Sequence, residues 1–251
     1  MKTAIIYGTD RYYNLSGSDL HGCVNDAAAW KAFAEGKGFN VVYMTNPTDG
    51  MFRAATSNAI ANSISGDVLL IAGSSHGSYM PDTSGDEGDH RDELICFSNF
   101  SASGGYLTDD QFRAMLSGLR AGVICDVFLD NCFSGTGTRL PQTHKIPVIG
   151  NRYVPFPGKA PRGANPKAII TTMKENLFAA CGEGQTSAEV SVGGKPRGLA
   201  SYYWQKALSS YPTYTRDQIM NWVKPKVAAV VPNQIPQLEC QAVNAGRMPF
   251  A

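Results

Sequence analysis

The stretch VFLDNCFSG, residues 127–135, is an apolar run that stops abruptly at a turn of small residues carrying Cys132. A second apolar run, residues 68–72, stops in the same way at GSSHG, residues 73–77. In an open α/β sheet, ligands and chemistry gather outside the carboxyl ends of parallel strands. Two neighbouring strands ending in His76 and Cys132 would bring a base and a nucleophile into one cleft.

Strand and helix patterns alternate along the chain on both sides of this stretch. Apolar runs predict strands at 3–7, 40–44, 68–72, 123–129, 177–181 and 237–241, with a short edge strand at 94–97. Apolar residues at helical spacing predict helices at 24–35, 49–64, 108–121, 201–208 and 216–230. This order predicts an α/β fold with a mostly parallel central sheet of about six strands and helices on both faces.

Two polar stretches interrupt this pattern. Residues 82–93 are polar and acidic, so we expect a loop on the same side of the sheet as His76. Residues 136–167 are rich in Gly, Pro and basic side chains, and a loop of this length is usually functional.

Composition gives no general reason to expect nucleic acid or a membrane as a partner. The 251-residue chain has a net charge of +1, and its opening apolar run is too short for a secretory signal. We expect a cytoplasmic protein. Its six cysteines form no C-x-x-C pair and are interpreted as free thiols: Cys23, Cys96, Cys125, Cys132, Cys181 and Cys240.

The histidine and the cysteine together suggest acyl transfer. A thiolate is a strong nucleophile, and a nearby imidazole can move its proton. Backbone N–H groups of Gly77 and Cys132 would bind the developing oxyanion. The alternative is that Cys132 is an inert core thiol, but the small polar residues after it, and Ser75 and Gly77 around His76, predict poor burial of both side chains.

Asp130 lies two residues before Cys132, so strand alternation places both on one face. A carboxylate beside the nucleophile would raise the thiol pKa, and substrate recognition is one reason to keep it there. An acidic pocket would select a basic side chain. The alternative is that Asp130 only caps a loop or a helix.

Three blocks of the sequence resemble those of metacaspases, the caspase-like cysteine peptidases of clan CD, family C14. They are LHGCVNDA at 20–27, SSHG at 74–77 and DNCFSG at 130–135, and the likeness extends from about residue 3 to residue 241. The resemblance implies a caspase-like three-layer sandwich and an endopeptidase that cleaves after Arg or Lys. It implies His76 and Cys132 as the catalytic dyad, and a pocket for the basic side chain lined by Cys23, Asp26, Ser74 and Asp130.

The resemblance also implies activation by calcium, with no cofactor needed for the chemistry. Three positions of the family's carboxylate cluster match Asp92, Asp109 and Asp110, and the fourth falls at Arg139, a cation in place of a ligand. The alternative is that Asp109 and Asp110 only begin a helix. Phe133 and Ser75 also depart from the family pattern, without removing the dyad.

The whole chain, residues 1–251, is predicted to form a single peptidase domain. It would comprise a large-subunit-like part at about 1–140, the basic loop at 136–167 and a small-subunit-like part at about 168–251. We expect a monomer acting on proteins or peptides, with self-cleavage in the basic loop as a hypothesis. A catalytically silent binding module is the alternative function, and a calcium-sensing scaffold is the third.

Overall fold

The computed structural model describes residues 1–81, 91–132, 146–156, 173–182 and 184–251. The strands are β1 (Lys2–Gly8), β2 (Asn40–Thr45), β3 (Val68–Ser74), β4 (Gly77–Pro81), β5 (Arg91–Ser101), β6 (Gly104–Thr108), β7 (Ile124–Asp130), β8 (Val148–Asn151), β9 (Asn176–Ala179), β10 (Ala188–Val192), β11 (Lys195–Gly198) and β12 (Gln237–Glu239). The helices are α1 (Cys23–Gly36), α2 (Asp49–Asn62), α3 (Asp109–Leu116), α4 (Leu199–Ser210), α5 (Arg216–Ala228) and α6 (Ala242–Ala245).

The central sheet has six strands in the order β12-β9-β7-β3-β1-β2. All neighbouring pairs are parallel except β12 with β9, which is antiparallel. The predicted α/β fold with a mostly parallel sheet of about six strands is therefore confirmed. The inner strands β1, β3 and β7 are almost entirely buried, as expected for apolar strands covered on both faces.

Helices cover both faces of this sheet and enclose two separate apolar cores. Phe128 of β7 lies in one core with Trp30 of α1 and Trp204 of α4. Its neighbour Val127 lies in the other core, with Phe112 of α3. Successive strand residues point to opposite faces, so the continuous apolar run of β7 supplies both cores at once.

Two small antiparallel sheets, β4-β5-β6 and β11-β10-β8, lie beside the central sheet. Residues 94–97 form a strand as predicted, but not a short edge strand, because they lie in the middle of the eleven-residue strand β5, which pairs with both β4 and β6. The loop predicted at 82–93 is also wrong at its end, because Asp92 and Glu93 pair with β4. Residues 82–90 lie outside the described part of the chain.

The basic stretch at 136–167 is not a loop throughout. Its residues 148–151 form β8, which pairs antiparallel with β10. Their sequence, VIGN, joins two residues that favour strands to two that do not, and pairing with the distant strand β10 fixes the strand conformation. Residues 133–145 and 157–172, including Arg139 and Phe133, lie outside the described residues.

The helices α1, α2, α4 and α5 begin and end within two residues of their predicted limits, whereas α3 ends at Leu116, five residues before its predicted end, and α6 was not predicted. Thr108 and Gln111 form a reciprocal capping box at the start of α3, and Thr215 and Gln218 form one at the start of α5. Among the described residues, no helix combines the length and the apolar character needed to cross a bilayer.

Candidate active site

The strands β3 and β7 bring the two turns of the site together. Their parallel register pairs Ser74 with Asp130, the last residues of the two strands. His76 lies two residues after Ser74 and Cys132 lies two residues after Asp130, so the two turns are adjacent. The Nδ2 group of Asn131 donates to Ser75 Oγ at 2.6 Å and to the Ser75 carbonyl at 3.2 Å, which ties one turn to the other. The sequence did not assign Asn131 this role.

The ring of His76 has a defined orientation. Its Nε2 lies 2.7 Å from the Ser18 carbonyl oxygen, which can only accept, so Nε2 carries the proton. Nδ1 is buried and has no hydrogen-bond partner among the described residues. Burial lowers the pKa of His76 to about 4, with smaller opposing contributions from the backbone of Ser18 and Arg152. At neutral pH the ring is uncharged and Nδ1 is free to accept a proton.

Cys132 is fully buried, which corrects the expectation that its small neighbours would leave it exposed. His76 is buried as well: its ring packs on Tyr12 with centroids 4.8 Å apart, and the backbone of Arg152, which follows β8, lies against both His76 and Cys132. Cys132 Sγ donates to the Ser187 carbonyl at 3.0 Å and accepts from the Ser187 N–H. Burial raises the pKa of the Cys132 thiol well above its ordinary value, and neighbouring Cys181 adds to that rise.

The four residues predicted to line an acidic pocket meet around Arg152, whose side chain is fully buried. Arg152 Nη2 donates to Asp26 Oδ2 at 2.6 Å, and Nη1 lies 3.1 Å from Asp130 Oδ2. Nη1 also donates to Ser74 Oγ at 2.5 Å. Burial raises the pKa of the Cys23 thiol, and the nearby guanidinium partly offsets that rise.

Three carboxylates and two guanidinium groups meet in this pocket. Glu189, also buried, lies 3.9 Å from Arg152 Nη2, and Arg197 Nε donates to Asp26 Oδ1 at 2.6 Å. Burial alone would lower the pKa of Arg152, but the carboxylates of Asp130, Asp26 and Glu189 raise it well above its ordinary value. Burial raises the pKa of Asp26, while the two arginines lower it.

Residues that the sequence did not assign hold Asp130 in place. Its Oδ1 accepts from Ser187 Oγ at 2.5 Å, and its Oδ2 accepts from the Ser201 N–H at 2.8 Å. A Cβ at Gly198 would overlap both Asp130 Oδ2 and Arg152 Nη1. Arg152 itself was missed, because an arginine in a basic, Gly- and Pro-rich stretch is ordinarily solvent-exposed.

One group of three potential metal ligands lies within 4.8 Å in the described part of the chain: Asp10, Cys23 and Glu189. These carboxylates already accept from the first turn of α1. Asp10 Oδ1 accepts from the Cys23 N–H at 2.8 Å, and Glu189 Oε1 accepts from the Gly22 N–H at 2.6 Å. They therefore cap the helix and complement its dipole.

The three residues predicted to bind calcium lie on adjacent elements. Asp92 is buried on β5, while Asp109 and Asp110 begin α3 directly after β6, the neighbour of β5. Asp109 and Asp110 lie 3.7 and 3.8 Å from the Arg113 guanidinium. Within the described residues these three carboxylates do not form a preassembled group of close ligands. The predicted fourth position, Arg139, lies outside those residues.

A histidine and a cysteine at neighbouring carboxyl ends of a six-stranded, mostly parallel sheet define a caspase-like α/β protein. A family profile for the caspase domain of the C14 peptidases matches residues 1–245. The chain belongs to this family, which confirms the resemblance found in the sequence. Proteins are the substrates of such peptidases.

Several curated relatives are metacaspases of fungi. Metacaspase-1B of Aspergillus fumigatus is 24% identical over 269 residues, covering 89% of this chain and 66% of the relative. Metacaspase-1 of Cryptococcus neoformans is 26% identical over 284 residues, covering 94% and 62%. The chain thus spans less than two thirds of the length of these relatives.

Solved structures share the fold over nearly the whole chain. A protein of Geobacter sulfurreducens has a TM-score of 0.75 at 22% identity, covering 100% of this chain and 98% of that one. Caspase-1 of Spodoptera frugiperda has a TM-score of 0.65 at 14% identity, covering 99% and 88%. These similarities establish the architecture.

Proposed function

We propose that this protein is a cysteine endopeptidase that cleaves peptide bonds after Arg or Lys, with Cys132 as nucleophile and His76 as its base. One observation carries the proposal: an arginine side chain lies fully buried in an acidic pocket directly beside Cys132. The sequence predicted the pocket and its preference for a basic side chain from other residues.

The charge of the pocket supports a preference for basic over acidic side chains. Asp26, Asp130 and Glu189 are all buried, so an aspartate entering in place of Arg152 would add a fourth carboxylate to a pocket in which Arg197 is the remaining cation among the described residues. Burying an unpaired charge is costly, whereas a guanidinium or an ammonium group is stabilised by these carboxylates. Arginine can also bond two carboxylates at once through its planar group, as Arg152 does.

The orientation of His76 supports a defined route for the proton. The neutral ring donates through Nε2 to Ser18 and leaves Nδ1 to accept the Cys132 proton. The thiolate attacks the substrate carbonyl carbon, and His76 then protonates the leaving amine. Water hydrolyses the acyl-enzyme. The N–H groups of Gly77 and Cys132 would stabilise the oxyanion formed in each step.

The second candidate is a catalytically silent binding module with the caspase fold. The filled pocket favours it, because a permanently buried Arg152 would exclude any other basic side chain. The two candidates differ in whether Cys132-dependent hydrolysis exists at all.

Matched peptides test the proposal. Peptides identical except for Arg, Lys or Asp before the scissile bond are incubated with wild type, Cys132→Ala and the control Cys240→Ala, each with and without calcium. Cys240 is a half-buried thiol outside the site. We expect cleavage after Arg and Lys by wild type and the control, and none by Cys132→Ala. Cleavage after Asp would contradict the specificity, and Cys132-independent cleavage would contradict the mechanism.

A further inference from the structure

The segment 146–156 lies across the active site in the manner of a peptide substrate. Its strand β8 pairs antiparallel with β10, with Asn151 opposite Ala188 and Gly150 opposite Glu189. An extended peptide that adds a strand to an exposed edge is a common mode of peptide recognition, in which backbone bonds give affinity and pockets give specificity. Arg152 follows directly after Asn151, the last residue of β8.

The backbone of Arg152 is fixed at both of its polar groups. Its N–H donates to the Ser187 carbonyl at 3.0 Å, continuing the pairing of β8 with β10. Its carbonyl oxygen accepts from the Gly77 N–H at 2.8 Å. Gly77 was predicted from the sequence to supply an oxyanion donor, so the Arg152 carbonyl occupies the position where that charge would develop.

The chain continues beyond Arg152 along the other side of the site. The Val154 N–H donates to the Gly77 carbonyl at 3.1 Å, and the Tyr153 ring stacks on Tyr79 with centroids 6.0 Å apart. Phe156 packs against Phe100 at 6.3 Å. The peptide bond between Arg152 and Tyr153 is thus held from both sides.

The ion pairs of Arg152 account for only part of the way in which segment 146–156 is held. Burial of the Arg152 guanidinium between Asp26 and Asp130 explains the side chain alone. The carbonyl of Arg152 is placed on the Gly77 N–H by a separate parallel bridge between Gly77 and Tyr153, and the backbone of Arg152 also lies against Cys132 Sγ. Side chain, carbonyl and flanking strand are three separate contacts, and all three match those of a bound substrate.

We propose that the Arg152–Tyr153 bond is the self-cleavage site of this chain, and that the uncut segment keeps the pocket closed to other substrates. This inference rests on the proposed peptidase function. The Cys132 sulfur forms a thioester with the Arg152 carbonyl carbon, the Arg152–Tyr153 C–N bond breaks, and His76 passes the thiol proton to the Tyr153 nitrogen. Water then adds OH to the acyl carbon and returns a proton to the sulfur. The products are a carboxylate on Arg152 and an amine on Tyr153.

The first test follows the fragments by intact mass and N-terminal sequencing. The purified full chain is incubated with and without calcium as wild type, Cys132→Ala, Arg152→Lys, Arg152→Gln and the control Arg162→Gln, which removes another arginine of the basic stretch. We expect wild type, Arg152→Lys and Arg162→Gln to yield residues 1–152 and 153–251, with Tyr-Val-Pro as the new N-terminus. Cys132→Ala should stay intact, and Arg152→Gln should be cut here roughly 100-fold more slowly or not at all.

The dependence on concentration identifies whether the chain cuts itself. Because the bond lies in the chain's own site, the fraction cleaved per unit time should not change over a tenfold range of protein concentration. Adding active wild type to Cys132→Ala should cut its Arg152–Tyr153 bond at least tenfold more slowly than wild type cuts its own. A rate proportional to concentration, or equal cutting of the added variant, would overturn the proposal.

The peptide assay separates failure of this inference from failure of the proposed function. Wild type assayed before it has cut itself should turn over an arginine peptide at least tenfold more slowly than cut wild type, because Arg152 still occupies the pocket. A protein that hydrolyses arginine peptides while its 152–153 bond stays intact would overturn the self-cleavage site alone. If neither the chain nor the peptides are cut in folded wild type, with or without calcium, the proposed function fails too.

Discussion

At the scale of a single residue, Gly77 lies against both the carbonyl of the proposed cleavage site, Arg152, and the turn that carries the nucleophile, Cys132. Its N–H donates to the Arg152 carbonyl, and a Cβ in its place would overlap the Cys132 carbonyl oxygen. The close approach of the two turns therefore requires a residue without a side chain. This contact, rather than a special backbone angle, is the reason for glycine here.

Gly77→Ala should lower peptide cleavage by roughly 100-fold or more, because displacing an oxyanion donor typically has an effect of this size. The measurement is kcat/KM on arginine peptides, with far-UV circular dichroism to check folding. Gly36→Ala is the matched control: Gly36 ends α1 with open space around it, and the change should leave activity unaltered. Full activity in Gly77→Ala would refute the role of this contact.

His76 gives a second prediction, concerning stability and pH. Its pKa is lowered by burial to about 4 in the folded protein, whereas an unfolded histidine titrates near 6.5. Between these values the unfolded chain binds a proton that the folded chain does not. Stability from this group is therefore complete at neutral pH and is lost as pH falls, by about 2 kcal/mol between pH 7 and pH 5.

Urea unfolding at both pH values measures this loss, with Cys132→Ala as the background so that the chain stays uncut. Adding His76→Gln should reduce the loss by about the predicted 2 kcal/mol. Adding His21→Gln, which replaces an exposed histidine, serves as the control and should leave the loss unchanged. Equal pH dependence in all three proteins would show that His76 is not buried in its neutral form.

At the scale of elements, the sequence predicted those parts whose residues carry their own signal. Continuous apolar runs predicted β1, β3 and β7, because these strands are buried on both faces. Thr108 begins the predicted helix that the structure contains as α3. The strands β4, β6, β8, β10 and β11 were missed, since they are short and depend on pairing with distant residues.

The same distinction applies to the candidate site. His76, Cys132 and the four predicted pocket residues lie in or next to recognisable turns or blocks, and the structure places them close together. Arg152 could not be predicted, because its burial results from the pairing of β8 with β10. Nothing in the local sequence around residue 152 distinguishes it from the other basic residues of that stretch.

The strand β7 and the helix α5 are joined by a buried ion pair that the sequence also did not predict. Arg216 Nε donates to Asp126 Oδ1 at 2.6 Å, and Nη2 donates to Oδ2 at 2.9 Å. Asp126 Oδ2 also accepts from the Phe250 N–H at 2.8 Å, which fixes the last residues of the chain. The pair thus connects the central strand to two later segments.

Arg216→Gln should lower the free energy of unfolding by roughly 3–5 kcal/mol, because it leaves Asp126 buried without its cation. Urea unfolding in the Cys132→Ala background gives this value. Arg113→Gln is the control, since its pairs with Asp109 and Asp110 are partly exposed and should contribute less than about 1 kcal/mol. Similar losses in both variants would contradict the assigned difference in burial.

At the scale of the whole molecule, we propose that calcium binds at Asp92, Asp109 and Asp110, and the positions of these residues in the fold suggest how it would act. Asp92 lies on β5 and pairs with Met80 of β4, the strand that begins at Gly77. Calcium bound at Asp92, Asp109 and Asp110 would therefore act on the site through β4. The described carboxylates are not preassembled, and two of them lie near Arg113, so binding should be weak, with Kd on the order of 10⁻⁴–10⁻³ M.

Calorimetry on uncut Cys132→Ala protein tests binding apart from cleavage. We expect saturable heat with calcium, at least tenfold weaker binding after Asp92→Asn, and no change after Asp217→Asn, which replaces an exposed aspartate at the start of α5. In protein with an intact Cys132, calcium should then accelerate cutting of the 152–153 bond. Asp92→Asn should raise the calcium concentration needed for half-maximal acceleration by the same factor. Since binding and cleavage are linked, calcium that binds without changing the cleavage rate would exclude this route from β5 to Gly77, and absence of binding heat would exclude the calcium site itself.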